Sequence, residues 1–121
     1  MRISGKVVQG KGKGKKLGFP TINIELREKI DSGVYAGKVI TRELGANGKR
    51  MRTNMWPAGI FIGKNKKILE AYLIDFSGDL YGKEMSVTIR EKMRDVMKFE
   101  NDEKLKKQIK EDIELICSRE L

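Results

Sequence analysis

The stretch from Gly10 to Asn23, GKGKGKKLGFPTIN, combines glycines and lysines in a way suited to holding an anion. Gly10, Gly12, Gly14 and Gly18 let a backbone approach a bulky group and turn its N–H donors toward it, while Lys15 and Lys16, with Lys11 and Lys13, supply positive charge. This is the composition of a phosphate cradle, but it follows neither common pattern. No glycine is followed by Lys-Ser or Lys-Thr as a P-loop requires, and the Gly10-x-Gly12 start meets Lys15 where a dinucleotide fingerprint has glycine. A solvated basic loop has the same composition.

Thr21 and Asn23 follow two residues apart, so in an extended segment both side chains point to one side. A hydroxyl and an amide oxygen form a hard-oxygen pair suited to Mg²⁺, which takes its other ligands from water and substrate phosphates. Hydrogen bonding in a turn would use the same residues. Glu70 lies in ILEAYLIDF, where alternation puts it on one face with Ile68, Tyr72, Ile74 and Phe76, and puts Leu69, Ala71, Leu73 and Asp75 on the other. A carboxylate among apolar neighbours is costly unless paired or used, and partial desolvation makes it a better proton acceptor. An ion pair with a lysine is the competing account. Tyr81 and Phe99 have rings that can stack on a flat ligand, and Arg94 can bond a ligand oxygen; either ring would serve equally in a core.

Histidine is absent and Cys117 is the one cysteine. That excludes Ser-His-Asp and Cys-His nucleophile pairs, His-ligated zinc, thiolate metal sites and an internal disulfide. Acid–base work falls to a carboxylate, lysine or tyrosine. The length suits a single core, and no apolar run approaches the roughly 20 residues of a membrane helix. The start MRISG has no secretory pattern, so a cytoplasmic protein with no membrane partner is expected. The net charge of +9 is uneven: residues 83–121 carry ten basic and ten acidic side chains, leaving the whole excess in residues 1–82.

These groups need elements to hold them. Alternation predicts strands at 3–9, 34–41, 57–62, 67–76 and 84–90, with Met85, Val87 and Ile89 on one side of the last. Trp56-Pro57 reads as the start of its strand. Asn47-Gly48, Gly63-Lys64-Asn65 and Ser77-Gly78-Asp79 supply turns of hairpin length, which imply antiparallel neighbours. Five or six such strands with one late helix favour a small closed barrel, which leaves no exposed edges. The helix opens at Asn101, with Asp102 and Glu103 in its first turn, and Leu105, Ile109, Ile113 and Ile116 give it one apolar stripe.

In order, GFPTIN at 18–23, GVYA at 33–36, Glu70 with Asp75-Phe76, DLYG at 79–82, and Arg94 with Lys98-Phe99 ahead of a helix resemble the riboflavin kinase family, over about residues 5–116. The resemblance implies a mainly β fold, a six-stranded antiparallel barrel with a C-terminal helix packed on it. It implies ATP-dependent phosphorylation of the riboflavin 5′-hydroxyl to give FMN, assisted by Mg²⁺. By position, Gly10 and Lys15 or Lys16, with Gly12, Gly14 and Gly18, match the nucleotide loop; Thr21 and Asn23 match magnesium and nucleotide ligands. Glu70 matches the general base, and Leu73, Asp75 and Tyr81 match nucleotide-side contacts. Arg94, Met97, Lys98 and Phe99 match the flavin-binding segment. The chain departs from the pattern in a shortened loop before Glu70, without the usual Pro-Thr-Phe, and in Tyr72 where the family commonly has histidine. A single kinase module over 1–121, without the FMN adenylyltransferase domain to which many bacterial relatives are fused, is expected to act as a monomer. The rival is a basic barrel that binds nucleic acid; with eight aromatics and Tyr35, Tyr72 and Phe76 read as core, base stacking is poorly provided for, and no nucleic-acid partner is expected. A catalytically silent flavin-binding module is the remaining alternative.

Overall fold

Apolar residues at every second position build the strands and decide which face turns inward. The computed structural model describes residues 2–8, 21–44, 51–74 and 84–119, with only the backbone at 42–44, 51–53, 84 and 119. Among these are β1 (Arg2–Val8), β2 (Ile22–Glu25), β3 (Gly33–Leu44), β4 (Met51–Ile62), β5 (Ile68–Leu73), β6 (Glu84–Arg94) and one helix, α1 (Asp102–Arg119). The strands form a closed antiparallel barrel in the order β1-β2-β5-β4-β3-β6. The pairing of β1 with β6, with Ile3 opposite Val87, closes it.

Ile3, Val7, Ile24, Val39, Ile60, Leu69, Ala71, Leu73, Met85 and Val87 fill the interior. Leu69, Ala71 and Leu73 therefore face in, and Ile68, Glu70 and Tyr72 face out. Tyr35, expected in the core, is there, and its hydroxyl donates to the Asp31 carbonyl at 2.6 Å. Tyr72 differs: it is half-buried on the outer face, against a second cluster of Ala36, Ile74 and Ile116.

β2 is absent from the strands expected by alternation. Four residues that include Asn and Glu give too short a window, and the pairing of β2 with β1 and β5 makes it a strand. β3 and β4 run longer than expected because twelve residues of each pair with the other, which puts Trp56 and Pro57 inside β4 rather than at its start. The β4–β5 connection is tight: Lys66 N donates to the Gly63 carbonyl at 3.0 Å, and Asn65 Oδ1 accepts from Lys67 N at 3.1 Å. The expected turns at Asn47-Gly48 and Ser77-Gly78-Asp79, and Phe76, lie outside the described residues.

Asn101 caps α1 as its position predicts, its Oδ1 accepting from Lys104 N at 2.9 Å. The stripe then lies on the outside of the barrel. Ile116, fully buried, sits over Gly59, where an added Cβ would come within 3.3 Å of Ile116 Cδ1. Small residues at Gly59 and Ala36 thus let the C-terminal half of α1 seat on the sheet, while its N-terminal half leaves a cleft.

Candidate functional site

The site is a row of side chains running across five strands on the outer face. Asn23 on β2 lies directly opposite Glu70 on β5. Glu70 lies opposite Phe61 on β4, Phe61 opposite Val34 on β3, and Val34 opposite Arg94 at the end of β6. Directly paired residues have Cβ atoms about 5 Å apart on the same face. Four strand steps from Asn23 to Arg94 make a strip on the order of 19 Å around the barrel.

All five line one cavity of about 610 Å³, roofed by α1 and the segment that leads into it. Thr21 and Asn23 both face it, as two-residue spacing requires, and Asn23 is buried. Phe61, Met97, Phe99, Leu105 and Ile109 give it an apolar wall. Phe61 and Met97 are 37% and 48% exposed, large apolar surfaces presented to the cleft.

Arg94 is held within the protein. Its Nε donates to Asp112 Oδ1 at 3.1 Å and its Nη2 to Asp112 Oδ2 at 2.8 Å, a two-point fork; Nη1 donates to the Asp95 carbonyl at 3.1 Å. Gln108 Nε2 adds a bond to Asp112 Oδ1 at 3.1 Å. Nearby on the surface, Lys92 Nζ lies 2.7 Å from Asp95 Oδ1. That hydrogen bond holds the Asp95 carboxyl below its ordinary range and the Lys92 ammonium above its own.

Of the residues singled out by sequence, Thr21, Asn23, Glu70, Arg94, Met97 and Phe99 come together on this cavity. Leu73 does not: its side chain is sealed in the barrel interior. Lys98 is exposed and outside the lining. Gly10, Gly12, Gly14, Lys15, Lys16, Gly18, Asp75 and Tyr81 lie outside the described residues. Sequence reasoning missed Phe61, Val34 and Asp112. Phe61 and Val34 are placed by register, which no local pattern reveals. Asp112 left a signal, being an acid three residues beyond Ile109 and four before Ile116, on the face meant to be apolar.

A closed six-stranded antiparallel barrel with its cleft outside, between strands and a C-terminal helix, defines the architecture. The family model described as flavokinase, riboflavin kinase, matches residues 1–118, and the chain belongs to the riboflavin kinase family. It is 38% identical over 119 residues to the RNA-binding riboflavin kinase RibR of Bacillus subtilis (strain 168), covering 97% of this chain and 50% of that protein. It is 37% identical over 118 residues to the bifunctional riboflavin kinase/FMN adenylyltransferase of Escherichia coli (strain K12), covering 91% of this chain and 35% of that one. The chain thus spans half or less of the length of these relatives. The crystal structure of riboflavin kinase from Trypanosoma brucei superposes with a TM-score of 0.71 at 23% identity, covering 98% of this chain and 78% of that one, and shares the fold.

Proposed function

We propose that the protein transfers the γ-phosphoryl group of ATP to the 5′-hydroxyl of riboflavin, giving FMN and ADP. The observation that carries this reading is the direct pairing of Asn23 with Glu70 on a cavity that Thr21 also lines and to which Phe61, Met97 and Phe99 present apolar surface. A carboxylate, a hydroxyl and an amide are thereby gathered beside room for a flat ring.

In this reading Glu70 accepts the proton of the 5′-hydroxyl as that oxygen attacks the γ-phosphorus in line and the bond to the β-phosphate oxygen breaks. Thr21 and Asn23 fit Mg²⁺: they line one cavity and offer neutral hard oxygens, to which water and substrate phosphates would add the remaining ligands. Bound there, the ion would supply positive charge to the phosphate oxygens. Gly10, Gly12, Gly14, Gly18, Lys15 and Lys16 are assigned to the triphosphate, with Asp75 and Tyr81. Leu73, sealed in the core, serves that side through its backbone. Met97 and Phe99 contact the ring, with Lys98 at the rim. Among the described residues no helix is long and apolar enough to cross a membrane. On the family resemblance, the kinase module is assigned to residues 1–121 and to the cytoplasm, acting as a monomer.

The test separates riboflavin from FMN after incubation with ATP, with and without Mg²⁺, for the unsubstituted protein and Glu70→Gln. FMN is expected only with metal, and the variant should lose about 10²- to 10⁴-fold in kcat while still binding riboflavin. Full activity in Glu70→Gln would remove the base from the mechanism. A second reading, RNA binding, draws on the name of the Bacillus subtilis relative and on the net charge of +9.

A further inference from the structure

Asp112 is a buried carboxylate on a helix face built of isoleucines, and it spends both oxygens on Arg94. The paired side chains are 19% and 10% exposed. Desolvating two charges offsets much of their attraction, so a buried pair of this kind is weak as a source of stability and strong as a fixer of geometry. The planar fork admits one relative orientation of the two side chains.

That orientation matters because of where the two ends lie. Arg94 is the last residue of β6, and the next carbonyl, that of Asp95, accepts from its Nη1. The segment 95–101 that follows carries Met97, Phe99, Glu100 and Asn101 to the cavity. Its other end is the capped start of α1, and Asp112 lies ten residues into that helix, about 15 Å along its axis. Gln108, one turn earlier, steadies the carboxylate. The fork thus ties the strand before the segment to the helix after it, closing a loop whose inner edge is the cleft wall.

We infer that Asp112 is a positioning residue: through its fork on Arg94 it sets segment 95–101 and the N-terminal half of α1 as a preformed wall for the flat ring of the acceptor. Arg94 then acts with Asp112 as one unit, two of its three engaged N–H groups being spent on that carboxylate and the third on the Asp95 carbonyl. This rests on the flavin reading above for the identity of the ligand, and on the geometry alone for the latch.

Asp112→Asn and Arg94→Lys each break the fork, the second while keeping the charge. Both are expected to raise the riboflavin KM about ten-fold, to leave kcat and the ATP KM within about two-fold, and to be no worse combined than singly. In the ligand-free protein, amide hydrogen exchange at residues 95–101 should quicken about ten-fold while β1 to β6 stay unchanged. Val39→Ala, a cavity in the barrel core, is the stability control and should lower Tm without either effect. If the fork variants merely lower Tm like Val39→Ala, with riboflavin KM and exchange at 95–101 unmoved, the latch is overturned. Additive effects of the two would overturn the claim that Arg94 acts with Asp112 as one unit. Should Asp112→Asn not fold, Arg94→Lys decides alone. If the unsubstituted protein makes no FMN, the proposed function fails, and the exchange result still decides the latch.

Discussion

Glu70 sits between two side chains of opposite character. Asn23 faces it across one strand boundary and can orient a carboxylate or a hydroxyl; Phe61 faces it across the other and presents an apolar ring. The Phe61 ring also lies against Gly63, where an added Cβ would be 3.6 Å from its Cε1, so it stands at the end of the shortened loop. At 37% exposed it buries part of its ring on the sheet and leaves the rest to the cleft. Phe61→Ala should therefore lower Tm by a few degrees, on the order of 1 kcal/mol, and weaken riboflavin binding about three- to ten-fold, the scale of one aromatic contact, in a flavin fluorescence titration. Unchanged binding would move the ring elsewhere in the cavity. Thr21, Asn23 and Glu70 were singled out because their side chains suit a metal and a proton and because they fall on the riboflavin kinase pattern; their own local sequence left turn bonding and an ion pair open. Phe61 was not, since a phenylalanine in an apolar strand looks like core until the register puts it outside.

At the scale of elements, the barrel depends on how closely β3 passes β6. The pairing of the two strands shifts between Ala36 and Gly37, and at Gly37 the strands come so near that a Cβ would fall inside the contact shell of the Thr88 carbonyl oxygen and 2.6 Å from Ile60 Cδ1. One neighbour is backbone and cannot swing aside. Gly37→Ala should cost about 3 kcal/mol in urea unfolding with an unchanged m-value, or prevent folding outright. Stability within 0.5 kcal/mol of the parent would mean the strands separate more easily than the register indicates. Closure of the sheet and the docked helix followed from short turns, a need to bury edges and one apolar stripe. The insertion of β2 beside β5, which creates the Asn23–Glu70 pair, did not, because four residues carry no periodicity and their partners are chosen across the barrel. Nor did the placement of Tyr72 and Ile74 under the helix, since a strand with apolar residues on both faces does not say which face is inside.

For the whole molecule, charge bears differently on the two substrates of the proposed reaction. Residues 83–121, which supply β6 and the helix side of the cleft, balance ten basic against ten acidic groups, and Glu100, Asp102 and Asp112 line that side. The excess of nine positive charges belongs to residues 1–82, which supply Thr21, Asn23 and Glu70. In the proposed reaction the triphosphate is the substrate that this excess attracts, and the uncharged flavin is indifferent to it. Screening should therefore act on one substrate only: between 0.05 and 0.3 M NaCl the ATP KM should rise by about three- to ten-fold while the riboflavin KM stays flat, because exposed charges lose most of their reach beyond a Debye length of about 10 Å at 0.1 M. The same excess attracts RNA, and there the salt dependence separates the readings. Counterion release alone gives sequence-independent retention that fades steeply by about 0.2 M salt, whereas an RNA-recognising protein keeps one sequence and loses others at that salt. Filter binding with unrelated RNAs, repeated with ATP as competitor, is expected to show the first pattern, with ATP displacing RNA. Sequence-selective retention that ATP does not displace would establish a second binding surface and make RNA a partner in its own right.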